Sequence, residues 1–431
     1  MFDSKIARNA LFPVFLLTLL CTSKAHTQTK SSFLQKIKDA SEFYGFTDIR
    51  SNLNLDSKSP QPNNYTYSEY KLQLESAHYF GLSETRFKGD FMYDIYLKRF
   101  RFDLREANIW LPTWSWLDLK IGRQILTWGK GDLLFINDLF PKDWQSFFIG
   151  REIEYLKAPS DALKLNINTK AVQINFVYTP QFDPDRYLTG ERVSLIVQGQ
   201  PNAFTKDNTL PVTLPNQFFR NAEYAIRFQK TIGKLDLALY GYHGYWKSPS
   251  AYNLDKMAFD FPSLTTYGLS IETNLLKGIV AAEMGHYISG DDQSGDNPLI
   301  RNSDFRYLIS YNRDFKKDWN IGLQFYSEIT LKYQELIRAI PLVSSLPAKT
   351  LNQFSIRVGK MLLKQKLNLS LISFYSFSGK DSYIRPNFSY KFTDKIKCDI
   401  GGNIFLSKNP STFWGQFDRN DNIYLGFKYN I

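Results

Sequence analysis

The sequence predicts an all-β chain: a transmembrane antiparallel β-barrel of about 18 strands, with 16 as the lower alternative. Three features predict it: a leader-like N-terminus, period-2 alternation of apolar and polar residues, and connections that alternate between tight and long.

The leader comes first. Lys5 and Arg8 form a basic start, and Ala10 to Leu20 is an apolar run too short to cross a bilayer. Ser23-Lys24-Ala25 then offers a small-residue cleavage site, so residues 1–25 read as a signal peptide and the mature chain starts near His26. Leu20 stands where a lipoprotein signal needs a small residue, which counts against acylation of Cys21. Beyond this point no apolar run approaches the ~20 residues of a transmembrane helix. A membrane chain without such runs can satisfy its backbone only as a closed barrel. Aromatic residues make up 16% of the chain, with 35 Phe, 26 Tyr and 8 Trp, yet hydropathy is modest. Strands with one face in lipid and one in water give that balance.

Residues 26–43 come next. Phe33, Leu34, Ile37, Ala40 and Phe43 fall at helical spacing, so a short amphipathic helix is expected at the periplasmic mouth or in the lumen. The barrel occupies 44–431, with its first strand near 44–54. Leu235, Leu237 and Leu239 follow the turn at 231–234, opposite Asp236, Ala238 and Tyr240. Phe354, Ile356 and Val358 alternate with Ser355, Arg357 and Gly359, and Leu367, Leu369 and Leu371 supply the partner strand. Ile384, Phe388, Tyr390 and Phe392 precede a turn at 393–395, and Ile396, Cys398, Ile400 and Ile404 follow it. The last strand sets Ile423, Leu425, Phe427, Tyr429 and Ile431 against Asn422, Tyr424, Gly426, Lys428 and Asn430. Tight connections fall near 80–83, 112–116, 169–170, 231–234, 274–278, 315–318, 362–365 and 393–395. Long polar ones fall near 129–158, 180–220, 247–263, 288–303, 333–350 and 407–419. Short periplasmic turns facing long outer loops produce this rhythm. A propeller would show a repeat of roughly 40–50 residues, and none is present.

Composition excludes several chemistries. Removing residues 1–25 leaves Cys398 as the one cysteine, so no intrachain disulfide and no cysteine metal site can form. The scattered His26, His78, His243 and His286 suit neither a metal cluster nor a Ser–His hydrolase, and no phosphate-cradling glycine loop is present. The expectation is a non-enzyme with no cofactor. Cleavage also removes Lys5, Arg8, Lys24 and Asp3, leaving 50 basic against 41 acidic side chains. That excess suits anionic cargo or the acidic lipopolysaccharide leaflet; an exported barrel rarely meets nucleic acid.

The segment Arg105–Glu154 is the candidate site. Leu117, Leu119 and Ile121 end at Gly122-Arg123-Gln124, and a stretch dense in charge and aromatics follows, the loop after the fifth strand. Large barrels narrow their lumen with an infolded loop, and opposed Arg and Asp/Glu rows sort charged solutes. Candidate gate residues are Arg105, Glu106, Arg123, Gln124, Trp128, Asp132, Asp138, Pro141, Asp143, Arg151 and Glu152; a loop that merely stiffens the barrel is the alternative.

The run Arg105-Glu106-Ala107, Gly122-Arg123-Gln124, Trp128-Gly129, then Asp138, Pro141 and Asp143, resembles a Gram-negative outer-membrane barrel family of unknown function. That family is similar in architecture to alginate-export porins. The resemblance implies work beside an inner-membrane exporter of the resistance-nodulation-division type. At the C-terminus, Tyr424, Gly426, Tyr429 and Ile431 look like the signal read by the barrel-assembly machinery, with Ile431 in place of the usual Phe. The reading is an outer-membrane channel or export-route barrel for small anionic or amphipathic molecules. The alternative is a plugged barrel acting as receptor, adhesin or envelope anchor, which the proline-rich 180–220 loop would serve.

Overall fold

The computed structural model describes residues 41–197, 202–340 and 346–431. The expected signal peptide and residues 26–40 lie outside them. Ser41–Phe43, expected to end a helix, instead open the first strand. They pair with the second strand (Ser41 opposite His78, Phe43 opposite Ser76), and that pairing overrides the local helical spacing.

Eighteen strands form one closed antiparallel sheet. In chain order the first nine are β1 (Ser41–Asn54), β2 (Ser68–Phe80), β3 (Ser83–Asp94), β4 (Arg99–Trp114), β5 (Leu117–Ile125), β6 (Pro159–Asn168), β7 (Gln173–Thr179), β8 (Glu223–Ile232) and β9 (Leu235–Tyr245). A small outer hairpin, β10 (Ala251–Asn253) with β11 (Ala258–Asp260), interrupts them and stays outside the barrel sheet, bridging instead to loop residues Val212 and Ile300. The barrel resumes with β12 (Ser263–Leu275), β13 (Gly278–Ser289), β14 (Asp304–Phe315), β15 (Trp319–Thr330), β16 (Thr350–Leu362), β17 (Leu367–Ser376), β18 (Asp381–Lys391), β19 (Ile396–Leu406) and β20 (Asn422–Asn430). β20 pairs with both β19 and β1, Leu53 opposite Ile423 and Phe46 opposite Asn430, so no edge is left open.

Alternation decides which way each side chain points. Along β20, Ile423, Leu425, Phe427 and Tyr429 are exposed on the outer wall while Asn422 and Tyr424 are buried inside. The short connections gather at one end, the periplasmic one, as the spacing predicted. Two connections at the other end are also short, 95–98 and 377–380, a detail the sequence rhythm did not show. No helix among the described residues is long and apolar enough to cross a membrane.

The lumen is far from empty. One buried apolar cluster joins Phe147, Phe148 and Ile149 to Tyr383, Phe405, Trp414 and Phe417, with Val193, Leu195 and Phe204 from the 180–222 loop. A second joins Leu126, Trp128, Ile136 and Phe140 to Tyr240, Tyr242, Trp246 and Tyr287. The described parts of the 180–222 loop, residues 180–197 and 202–222, thus fold inward and cover one side of the lumen.

Candidate constriction in the barrel lumen

The loop between β5 and β6, residues 126–158, enters the lumen. Its course is set at the end of β5. Gly122 adopts φ +113°, and a Cβ there would lie 2.3 Å from the Ala107 carbonyl oxygen, so only glycine fits against β4. Gln124 then faces inward, fully buried, donating to the Ala162 carbonyl at 3.0 Å.

The loop's first lobe wraps one wall carboxylate. Glu283 of β13 accepts the backbone N–H groups of Lys130, Gly131 (3.0 Å) and Asn137 (3.2 Å), and the Asn137 side-chain amide at 3.2 Å. The Tyr287 hydroxyl donates to the Ile136 carbonyl beside it. The wall makes room through glycines: a Cβ on Gly268 would sit 1.7 Å from Asn137 Oδ1, and one on Gly285 2.8 Å from Ile136. The Lys130 ammonium reaches Asp236 at 2.8 Å and Glu272 at 3.3 Å. Burial opposes that charge, but the two carboxylates outweigh it and raise the lysine's pKa.

The second lobe carries a five-residue helix, α1 (Trp144–Phe148), whose N-cap Asp143 accepts from Ser146 N at 2.7 Å. Arg186 bridges Asp143 (3.0 Å) to Asp103 of β4 (2.6 Å), which ties the 180–222 loop, the constriction loop and the wall together. The loop then crosses to the closure seam. The Gly150 carbonyl accepts from Arg50 at 3.0 Å, and the Arg151 carbonyl accepts from Arg385 at 2.6 Å. Gly150 adopts φ +88°, and a Cβ on it would meet the Tyr424 ring at 2.4 Å. Glu152 takes Lys397 at 2.7 Å and Lys428 at 3.0 Å. Burial would raise its pKa, yet the two lysines win and hold the carboxyl well below the usual range.

Clamped on opposite walls, the loop divides the lumen rather than lining it. Two cavities lie on its outer side. One of about 630 Å³ is bounded by Trp246, Arg301, Arg306 and Glu328. The other, of about 410 Å³, is bounded by Arg99, Arg101, Arg186 and Glu191.

Comparison with solved structures identifies the fold. Acinetobacter baumannii OccAB4 superposes with a TM-score of 0.54 at 9% identity, covering 91% of this chain and 98% of its own. Pseudomonas aeruginosa OccK5 (OpdH) gives 0.52 at 10%, over 91% and 98%. Pseudomonas aeruginosa OccK2 (OpdF), solved in complex with glucuronate, gives 0.51 at 10%, over 91% and 98%. The chain has the fold of an outer-membrane porin. No protein-family model and no curated protein matches it in sequence. With an apolar band around a closed 18-stranded sheet, it is an outer-membrane protein.

Within this porin fold, most of the residues singled out in the sequence meet inside the lumen. Trp128 packs edge-on to Phe140 at 5.0 Å, with the Arg227 guanidinium 5.7 Å from its ring. Asp138 accepts from Thr127 at 2.9 Å and pairs with Lys142 at 3.1 Å, while the Pro141 carbonyl accepts from Ala158 N. Arg151 pairs with Glu69 and donates to Ser146 Oγ at 3.0 Å. Arg105 stacks on Tyr155 at 4.5 Å, and Glu106 accepts from Asn108 at 3.4 Å. Asp132 pairs with Arg357 of the adjoining strand β16. Arg123 alone goes elsewhere. It shares the parity of outward-facing Leu119 and Ile121, and binds Asp161 at 3.0 Å and the Leu104 carbonyl at 2.6 Å. At the terminus, Tyr424 and Gly426 face the lumen, and Tyr429 and Ile431 the outer wall.

Sequence reasoning missed Glu283, Arg50 and Arg385. Each sits in an ordinary alternating strand, and only closure of the barrel brings it to the loop. A Ser–His contact joins Ser41 and His78 at 2.6 Å, but among the described residues no carboxylate holds that imidazole.

Proposed function

We propose that the chain is a passive channel for small anionic solutes, narrowed by the 126–158 loop. The observation that supports it most is a cationic wall beside the loop. The inward row of β4 carries Arg99, Arg101 and Arg105, and Lys120, Lys164 and Arg227 continue it on β5, β6 and β8. Among the described residues, Arg101, Lys120, Lys164 and Arg227 form no ion pair with a carboxylate, unlike the clamped charges on the opposite wall. Unpaired cations in a narrow, low-dielectric passage attract anions and repel cations. The glucuronate found with OccK2 is an anion of the class proposed.

The rival reading, a plugged barrel acting as receptor, adhesin or anchor, is favoured by the apolar cluster around Phe148 and Phe417. The exporter link and the assembly role of Tyr424, Gly426, Tyr429 and Ile431 rest on the sequence pattern, and we carry them as proposals. Planar-bilayer recording of the refolded protein separates channel from plug. Discrete steps with an anion-selective reversal potential, shifted towards cations by Arg101→Ala/Lys120→Ala/Lys164→Ala, are expected. Silence or cation preference in the wild-type protein would overturn the reading.

A further inference from the structure

The chain's positive excess is concentrated at one end of the barrel. Six consecutive short turns, from β6–β7 round to β18–β19, each carry a lysine: Lys170, Lys234, Lys277, Lys317, Lys364 and Lys395. All six are exposed, and among the described residues none pairs with a carboxylate. Acidic neighbours are few at this end, Asp318 beside Lys317 and Asp394 beside Lys395, whereas the outer loops gather several, as with Asp291, Asp292 and Asp296 near Arg301, or Asp255 and Asp260 beside Lys256.

The turn tips show a second oddity. Leu276 and Leu363 are 71% and 62% exposed, and each sits in the left-handed region (φ +56° and +52°) immediately before a lysine that is also left-handed. A turn bathed in water favours Asn or Gly at such positions; a β-carbon there is strained, and a bare leucine gains nothing from water. Ile232 before the Gly233-Lys234 tip and Phe392 before Lys395 are likewise exposed. These four of the six tips therefore offer an apolar group with an ammonium one to three residues further on. That pair suits the lipid–water boundary, where the apolar group meets acyl chains and the lysine stem carries its charge out to a phosphate.

We propose that this periplasmic arc binds anionic phospholipid headgroups, phosphatidylglycerol-like in chemistry, in the inner leaflet of the outer membrane. An acidic protein partner would match the lysines but leave the exposed leucines unexplained. The proposal does not depend on whether the lumen conducts.

Native mass spectrometry of the detergent-solubilised full chain, incubated with an equimolar mixture of phosphatidylglycerol and phosphatidylcholine, tests it. A lysine near an anionic surface adds roughly 1 kcal/mol, about a five-fold change per site. The wild-type protein is expected to retain phosphatidylglycerol at least ~3-fold over phosphatidylcholine, with the preference falling in high salt. K234Q/K277Q/K317Q/K364Q should abolish the preference, while K256Q/K332Q/K349Q/K408Q, which removes the same charge from the outer loops, should keep it. Equal retention of both lipids by the wild-type protein would overturn the proposal, as would a preference insensitive to salt or one lost equally in the outer-loop variant. The salt series uses the unmodified protein and decides the matter even where the substituted rim folds poorly.

Discussion

At the level of single side chains, Glu283 holds the constriction loop to the wall, since one carboxylate collects three backbone N–H groups and an amide. Glu283→Ala leaves those donors without their acceptor, at a cost of about 1–3 kcal/mol for each group left dry. The strand ladders are untouched, so the barrel should stay heat-modifiable on gels while single-channel conductance rises and grows noisy; unchanged conductance would show that the lobe is held by its apolar contacts instead. Glu152 makes the second anchor sensitive to pH. Its folded-state pKa lies below the ordinary value of 4.5, so its stabilisation is complete above that value and is lost as pH falls below it. The anchor should weaken progressively as pH falls below that value. It should release the 150–152 segment from Lys397 and Lys428 only when pH drops through the depressed folded-state pKa, well below about 4, seen as faster amide exchange there, and Glu152→Gln should show the fast rate already at neutral pH. The charged cluster in 105–154 was legible because loops rarely combine so many Arg, Asp and Trp residues. Glu283, Arg50 and Arg385 were not, because a charge alternating with apolar residues reads only as lumen-facing, and its partner lies 100 or more residues away. Arg123 was misleading for a simpler reason: strand parity, not motif membership, decides which face a residue takes.

At the level of elements, α1 is too short to be stable alone and owes its place to packing. Phe148 lies within 5.3 Å of Tyr383 and of Phe417, and within 6.1 Å of Trp414, so it joins the loop to β18 and to the 407–421 loop. Phe148→Ala should cost about 3–5 kcal/mol of local stability. Because the cavity opens inside a wall closed by independent strand pairing, the loss should appear as protease sensitivity of the 126–158 and 180–222 loops rather than as unfolding of the barrel. Intact loops under conditions that digest neither barrel would contradict this coupling. The strands themselves were readable from alternation alone, since half of each faces lipid. The inward packing of the 180–222 loop was not, because its apolar residues Val193, Leu195 and Phe204 follow no period and find their partners only in three dimensions.

For the molecule as a whole, closure and constriction draw on different interactions. The ladder runs from β1 through β20 and back to β1 without using a residue of the 126–158 loop. The loop in turn binds the wall through side chains and its own backbone groups, among them Arg50, Glu69, Glu283 and Arg385. A chain in which residues 130–150 are replaced by a short Gly/Ser linker should therefore still close. The wall charges it abandons lie in a polar lumen that water can enter, so their desolvation cost falls as their partners leave. Such a chain should refold into a heat-modifiable barrel with several-fold higher conductance and weaker ion selectivity, because wider pores screen their wall charges. Failure to refold would mean instead that the apolar clusters around Trp128 and Phe148 help the strands find their register, which would make the loop a folding core as well as a constriction.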